Sequence, residues 1–352
     1  MKIGIFSKCG HAGGSEFRCA ELANGIVRHT EHRAFLLCEG PIHPKVLKTV
    51  DEAVSVRLNV VKIQDKVPIF YDMDAVIVVN TDSNEFTDAE YWQGKTYRHS
   101  CVVDLSRIKK FVFLFNFIIE PAAKLPSLLR HVADVRIITA NSLYFRSISE
   151  MDMFQEIRHL PRLVLASPID PGTVTTDKTP SDRIRIGQHS LPYVHKFNGE
   201  IGTLVARINE RYLDRVSWNF MGMPVHVGNL IEHHPNVVLR KAFALPVRDF
   251  LEEVDVFLFY DTWDRTEPWA RSVAEALASG SPVVATAKGG NQDQVIPANN
   301  GYLCTCLEDF VRHLSVMIDR PEIVRLFGRN ASLYSRFFTT EYTIRKLMEF
   351  VW

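Results

Sequence analysis

The sequence predicts an α/β protein of two doubly wound, parallel-sheet domains, and three observations carry that reading. Its 352 residues exceed the size at which a single hydrophobic core usually stops growing. Short apolar runs alternate with helical stretches in both halves, the pattern of a parallel sheet covered on both faces. Between the halves, Ala166 to Pro180 reads ASPIDPGTVTTDKTP, rich in Pro, Thr, Asp and Gly and without an apolar period, which marks a linker. The predicted division is 1–167 for the first domain, 168–181 for the linker and 182–335 for the second domain.

The elements follow in order. Lys2 to Phe6 holds a four-residue apolar run, Ile3 to Phe6, closed by polar residues, a buried first strand and not a signal peptide. A glycine loop, SKCGHAGG, leads into a helix from Ser15 to His29. Strands are then expected at Ala34 to Cys38, Ala75 to Asn80, Phe111 to Phe117 and Val135 to Thr139. The stretch FVFLFNFII, Phe111 to Ile119, is the most apolar of the chain. It has about half of the roughly 18 residues needed to cross a bilayer, so it is a core strand. The second alternation places strands at Ile184 to Ile186, Val216 to Met221, Val237 to Leu239, Val254 to Phe259 and Pro282 to Thr286.

Lysine plus arginine equals aspartate plus glutamate, 41 against 41, so no global field draws the chain to nucleic acid or to an acidic membrane. Six cysteines at positions 9, 19, 38, 101, 304 and 306 contain no CxxC pair, which fits free thiols in a reducing compartment. The reading is a soluble, cytoplasmic protein with no integral membrane segment, open to a peripheral membrane encounter. Cys304 and Cys306 read as structural, and His226, His233 and His234 as surface residues of polar turns with no carboxylate at ligand spacing. No metal site and no resident cofactor are expected.

The chemistry concentrates in TEPWARSVAEALASGSPVVATAKGGN, Thr266 to Asn291. Proline is favoured at the first helical position, so Pro268 places Glu267 at a helix mouth. The first-turn amides, Trp269 to Arg271, and the helix dipole would attract a diphosphate. Glu275 then lies about 12 Å further along the axis, a length suited to an elongated diphosphate-linked ligand. Ionised carboxylates only accept hydrogen bonds, so the pair suits sugar and ribose hydroxyls. Gly280 ends the helix, and Gly289-Gly290 turns at the carboxyl end of the next strand, where open α/β sheets bind ligands. The competing reading is an ordinary helix and strand with both glutamates solvated.

This E-x7-E spacing, followed by EALASGSPVVA and the GG turn, strongly resembles the donor site of retaining glycosyltransferases of family 4, which have the GT-B fold. FLEEVDVFLFY before it, NNGYLC after it and the amino-terminal KIGIFSKCGHAGGSEFRCAELANGI are similar to further family segments. The resemblance implies two Rossmann-like domains facing across a cleft, with a final helix, 336–352, crossing back to the first. It implies that Glu275 holds the ribose, that Glu267 and the amides after Gly289 hold the donor sugar, and that the acceptor enters from the first domain. The donor is then a nucleoside diphosphate sugar. The acceptor is a saccharide, lipid-linked or small molecule, a nucleic-acid acceptor being unsupported by the charge balance.

The family's basic pair on the diphosphate falls at Gln188 and Lys196 in IGQHSLPYVHKF. Lys196 matches. Gln188 stands where the family has arginine, which removes a charge-assisted phosphate contact; Arg271 or His195 is the candidate substitute. Ala270 replaces the usual glycine, widening backbone approach slightly. Gly13 and Gly14 before Ser15 suit oxygen-binding amides, or else a turn capped by Ser15. His11 and Asn116 are acceptor-side candidates. Catalytic roles are assigned to Lys196, Glu267 and Arg271. Two alternatives stand: a binding protein that kept the fold and lost transfer, motivated by Gln188, and a nicotinamide-dependent oxidoreductase using the glycine loop and Glu39, although the loop is G-x-x-G-G and not G-x-G-x-x-G.

Overall fold

The computed structural model describes residues 1–7, 14–38, 43–48, 50, 58–62, 67–79, 107–115, 133–169, 178, 181–264 and 266–352. The chain divides into two compact units, Met1–Pro168 with Thr340–Trp352, and Ile169–Thr339. His11, Gly13, Glu39 and Asn116 lie outside the described residues.

The first unit is a seven-stranded sheet: β1 (Lys2–Ser7), β2 (Arg33–Cys38), β3 (Leu58–Lys62), β4 (Ala75–Val79), β5 (Phe111–Phe115), β6 (Val135–Thr139) and β7 (Arg162–Val164). Their order is β3-β2-β1-β4-β5-β6-β7 and every pairing is parallel. AVIVV of β4 and FVFLF of β5 are buried throughout, as continuous apolar runs must be when both faces are covered. One face is a phenylalanine-rich layer containing Phe6, Phe111, Phe113 and Phe115. The other carries the helix Gly14–His29, which opens one residue before Ser15 and so takes Ser15 into its first turn.

The final helix, Thr340–Val351, belongs to this unit. Its Ile344, Leu347 and Val351 join the core beneath the helix Gly14–His29, and a Cβ on Gly25 would lie 2.6 Å from both Ile344 and Thr340. Glycine lets the two helices approach that closely. Carbonyls at the helix end, Val351 and Phe350, accept from Lys110 and Arg136, cations suited to a helix C-terminus. The helix is shorter than the 336–352 expected, because Ser335–Phe338 forms a separate 3₁₀ turn in the second unit.

The second unit holds β8 (Ile184–His189), β9 (Val216–Met221), β10 (Val237–Arg240), β11 (Val256–Phe259), β12 (Val283–Thr286) and β13 (Gly301–Cys304). Again all pairings are parallel, in the order β10-β9-β8-β11-β12-β13. Strand order reverses between β8 and β11, so the carboxyl ends of these strands flank a topological switch point, the usual ligand position of such sheets. β8 runs three residues beyond the predicted Ile186, through Gln188 and His189. Lys178, within the expected linker, is anchored on this unit through the carbonyls of Leu251 and Val254 and the hydroxyls of Ser279 and Ser281.

Candidate functional site

The carboxyl ends of β8, β11 and β12 bring together most of the residues singled out in the sequence. After β8 the chain turns through Val194–Lys196, and the Lys196 ammonium pairs with Glu267 Oε2. Both side chains are largely shielded, 18% and 22% exposed. Glu267 lies in the segment that leaves β11, and its carbonyl accepts from Gly290 N at 3.0 Å. Glu267 therefore joins three loops, through its carboxylate on Lys196 and its backbone carbonyl on Gly290.

Pro268 does not open the helix. The helix runs Arg271–Ala278, with Ala270 as its extended N-cap (φ −78°, ψ 99°) and Val273 N bonded to Ala270 O at 3.1 Å. The cause is the GG turn. Gly289 has φ 49°, and a Cβ there would stand 2.2 Å from Glu267 O; a Cβ on Gly290 would stand 2.3 Å from Pro268 O. The two glycines let the turn lie directly on the Glu267–Trp269 backbone, and Gln294 Nε2 fixes Ala270 O at 2.9 Å. Held at both ends, Glu267 to Ala270 forms a short strut outside the helix, bent at Pro268. The 12 Å axial spacing of the two glutamates is thereby withdrawn: only Glu275 rides on the helix. Trp269 and Ala270 precede it, with the Trp269 ring against Phe338 at 5.1 Å.

Glu275 is held by its own helix and faces the end of β8. Arg271 Nε donates to Glu275 Oε1 at 2.7 Å, an i,i+4 pair. His189 Nε2 lies 3.6 Å from Glu275 Oε2, too far for a hydrogen bond. Burial pulls the His189 imidazole below its ordinary pKa, with Glu275 opposing and Arg271 reinforcing that shift.

Gln188 does not occupy a ligand-facing position. It is fully buried; its Nε2 donates to Lys196 O at 2.7 Å and its Oε1 accepts from Tyr260 N at 3.3 Å. The side chain ties the Lys196 turn to the end of β11. The motif places it at the family's arginine position on the diphosphate, and its spacing alone does not show that both amide ends are used internally.

Sequence reasoning missed Asp261, His189, Lys288 and Glu200. Asp261, just past β11, accepts from the Thr286 hydroxyl, and burial pushes its carboxyl up to about 6 against the hydroxyl's opposing effect. Lys288 donates to Thr262 O and lies 5.7 Å over the Trp263 ring. Glu200 receives Tyr260 Oη at 2.6 Å and Trp263 Nε1 at 3.0 Å. The signal available was the carboxyl end of each predicted strand. It was not applied to Asp261 because β11 offered no motif there.

Four buried polar atoms around this edge, His189 Nε2, Trp269 Nε1, Asn291 Oδ1 and Gln294 Oε1, have no hydrogen-bond partner among the described residues. Such orphans are uncommon in native interiors and call for an explanation. Here they cluster where the motif, the ion pairs and the switch point coincide. Elsewhere, Cys304 is buried at the end of β13 and Cys306 exposed, and burial raises the Cys304 thiol pKa.

Residues 232–333 match the family model described as glycosyl transferases group 1, a span containing Glu267, Arg271, Glu275, Gly289 and Gly290. The fold is GT-B. HepE of Anabaena, solved in complex with UDP, superposes with a TM-score of 0.74 at 15% identity over 99% of each chain. A glycosyltransferase from Rickettsia africae gives 0.74 at 13% identity, covering 99% of this chain and 97% of that one. Sucrose-phosphate synthase from Thermosynechococcus elongatus gives 0.67 at 12% identity, over 99% and 98%. No curated protein matches in sequence. Among the described residues, no helix is long and apolar enough to cross a membrane.

Proposed function

We propose that the protein transfers a sugar from a nucleoside diphosphate sugar with retention of anomeric configuration and without a bound metal or other cofactor. The observation that carries this reading is the Lys196–Glu267 pair, set at the switch point beside the GG turn and one short strut away from Glu275. The glycosyl transferases group 1 match over residues 232–333 supports sugar transfer. So do GT-B neighbours solved with UDP and with UDP-glucose, both complexes of HepE.

In this reading Lys196 and the helix mouth at Arg271 receive the diphosphate, Glu267 and the turn at Gly289-Gly290 the donor sugar, and Glu275 the ribose. The bond from the anomeric carbon to the phosphate oxygen breaks as the acceptor oxygen bonds that carbon on the same face. The acceptor proton passes to the departing phosphate oxygen. Lys196 then offsets the charge that develops on the leaving group, the type of electrostatic stabilisation that often dominates catalysis. The acceptor is a saccharide, lipid-linked or small molecule received by the first unit.

A panel of UDP-, GDP- and ADP-sugars tested by thermal shift identifies the donor, since ligand at about 100 times its dissociation constant stabilises by roughly 2.7 kcal/mol. Release of nucleoside diphosphate from the best donor then reports turnover. Binding without release in the presence of saccharide and lipid-linked acceptors would favour a binding protein of the same fold, and release abolished by chelator would refute the metal-free mechanism.

A further inference from the structure

His189 ends β8 with its ring wedged edge-on against Phe250 and Phe257, each 5.5 Å away and at 72° and 69°. These contacts come from the helix Val247–Glu252 and from β11, and neither phenylalanine titrates. Two apolar walls thus fix the plane of a buried imidazole, and its Nε2 is one of the orphaned atoms. The charged groups that act on the ring are Glu275 and Arg271, both on the helix Arg271–Ala278. Arg271 already occupies Glu275 Oε1 at 2.7 Å, and Glu275 Oε2 lies 3.6 Å from His189 Nε2. That gap is roughly 0.5 Å longer than a hydrogen bond to a carboxylate.

We propose that His189 is a positioning residue for Glu275: when nucleotide binds, its imidazole closes the 3.6 Å gap and donates from Nε2 to Oε2 while Arg271 holds Oε1, which sets the carboxylate for the ribose. The inference rests on the reading of Glu275 as the ribose ligand. A carboxylate is acceptor-only with about four lone-pair positions, so two protein donors leave capacity for two ribose hydroxyls. Without His189 the side chain is fixed at one oxygen only and can turn about its last torsion, which is broad for glutamate.

The test is calorimetric binding of UDP, GDP and ADP and of their 2′,3′-dideoxy counterparts, with wild type, His189→Leu, His189→Gln and Glu275→Gln. Leucine keeps the apolar packing and removes the donor. It should weaken the preferred ribonucleotide about tenfold, the scale of a hydrogen bond to a charged group, and leave its dideoxy counterpart unchanged. Glutamine can still reach with an amide N–H and should restore ribonucleotide affinity; in turnover, the leucine variant should raise donor KM with kcat held. If the leucine variant does not fold, His189→Asn against His189→Gln carries the test, since the shorter amide falls short of Oε2 and should lose affinity that glutamine keeps. Unchanged ribonucleotide affinity in folded His189→Leu, with Glu275→Gln still losing its ribose preference, overturns the role of His189 and leaves the ribose assignment standing. If wild type and Glu275→Gln alike ignore the ribose hydroxyls, the assignment of Glu275 falls and this inference falls with it.

Discussion

The two edges of the second sheet hold cations in opposite ways. At the amino edge, Lys178 is enclosed by two carbonyls and two hydroxyls. Beside it Arg185 forms a fork on Asp255, with bonds of 2.9 and 2.6 Å. Among the described residues no orphaned polar atom lies on these groups. At the carboxyl edge, Lys196 and Arg271 meet Glu267 and Glu275, and four buried polar atoms nearby are unpaired. An interior that satisfies its polar groups is finished as folded, whereas one that leaves them unpaired has capacity for a ligand. The amino edge is satisfied as folded, and the carboxyl edge, with its unpaired atoms, is where we propose that the nucleotide binds.

The strongest test of that contrast places a charge where the carboxyl edge is already finished. Gln188 is the exception there, with both amide ends engaged. Gln188→Arg should destabilise the protein by about 3 kcal/mol or more, the scale of an uncompensated buried charge, and should lower turnover by displacing Lys196. Chemical denaturation and donor turnover check it; a variant as stable as wild type with raised donor affinity would return Gln188 to the phosphate site. Next, Lys196→Ala should cut turnover at least 10²-fold, about 2.7 kcal/mol, with a small change in melting temperature. A stability loss without a turnover loss would make the Lys196–Glu267 pair structural.

How far the sequence could be read follows from the same contrast. Buried strands such as AVIVV and FVFLF announce themselves as continuous apolar runs, and the order of alternation carried the α/β class. β7, with three residues at a sheet edge, is too short to give a period. Within the site, Glu275 and the GG turn were legible as spacing. The strut from Glu267 to Ala270 was not, because a proline after a carboxylate reads as a helix start and the competing cause, the close approach of Gly289 and Gly290, comes from a loop more than 20 residues on. His189 and Asp261 carry no motif and become visible only when β8, β11 and the helix Arg271–Ala278 are assembled.

The two glutamates should separate by ligand. Glu275→Ala should weaken bare nucleoside diphosphate and nucleotide sugar alike, by about 1.5 to 3 kcal/mol. Arg271→Ala should follow it more weakly, since the arginine acts on the same carboxylate. Glu267→Ala should spare the bare nucleotide and reduce sugar-dependent affinity and turnover. Equal loss of both ligands in Glu267→Ala would merge the two roles and undo the assignment of one carboxylate to each end of the donor.

The smallest effect belongs to the amino edge. Replacing Lys178 by methionine removes an amine whose acceptors have other partners: Leu251 O also receives Val254 N, and Val254 O also receives the Ser281 hydroxyl. The cost at pH 8 should stay within about 1 kcal/mol, the net worth of a typical hydrogen bond. Burial lowers the Lys178 ammonium from its ordinary 10.5 to about 7, so between those values the unfolded chain binds a proton that the folded chain does not. Stability from this group is therefore present above 10.5 and is lost as pH falls toward 7. Denaturation of wild type and Lys178→Met across pH 7 to 10 should show the wild type losing ground to the variant as pH falls, with nucleotide affinity the same in both. A variant that loses nucleotide affinity while keeping its stability would show that the amino edge is coupled to the site, and the separation of the two edges would fail.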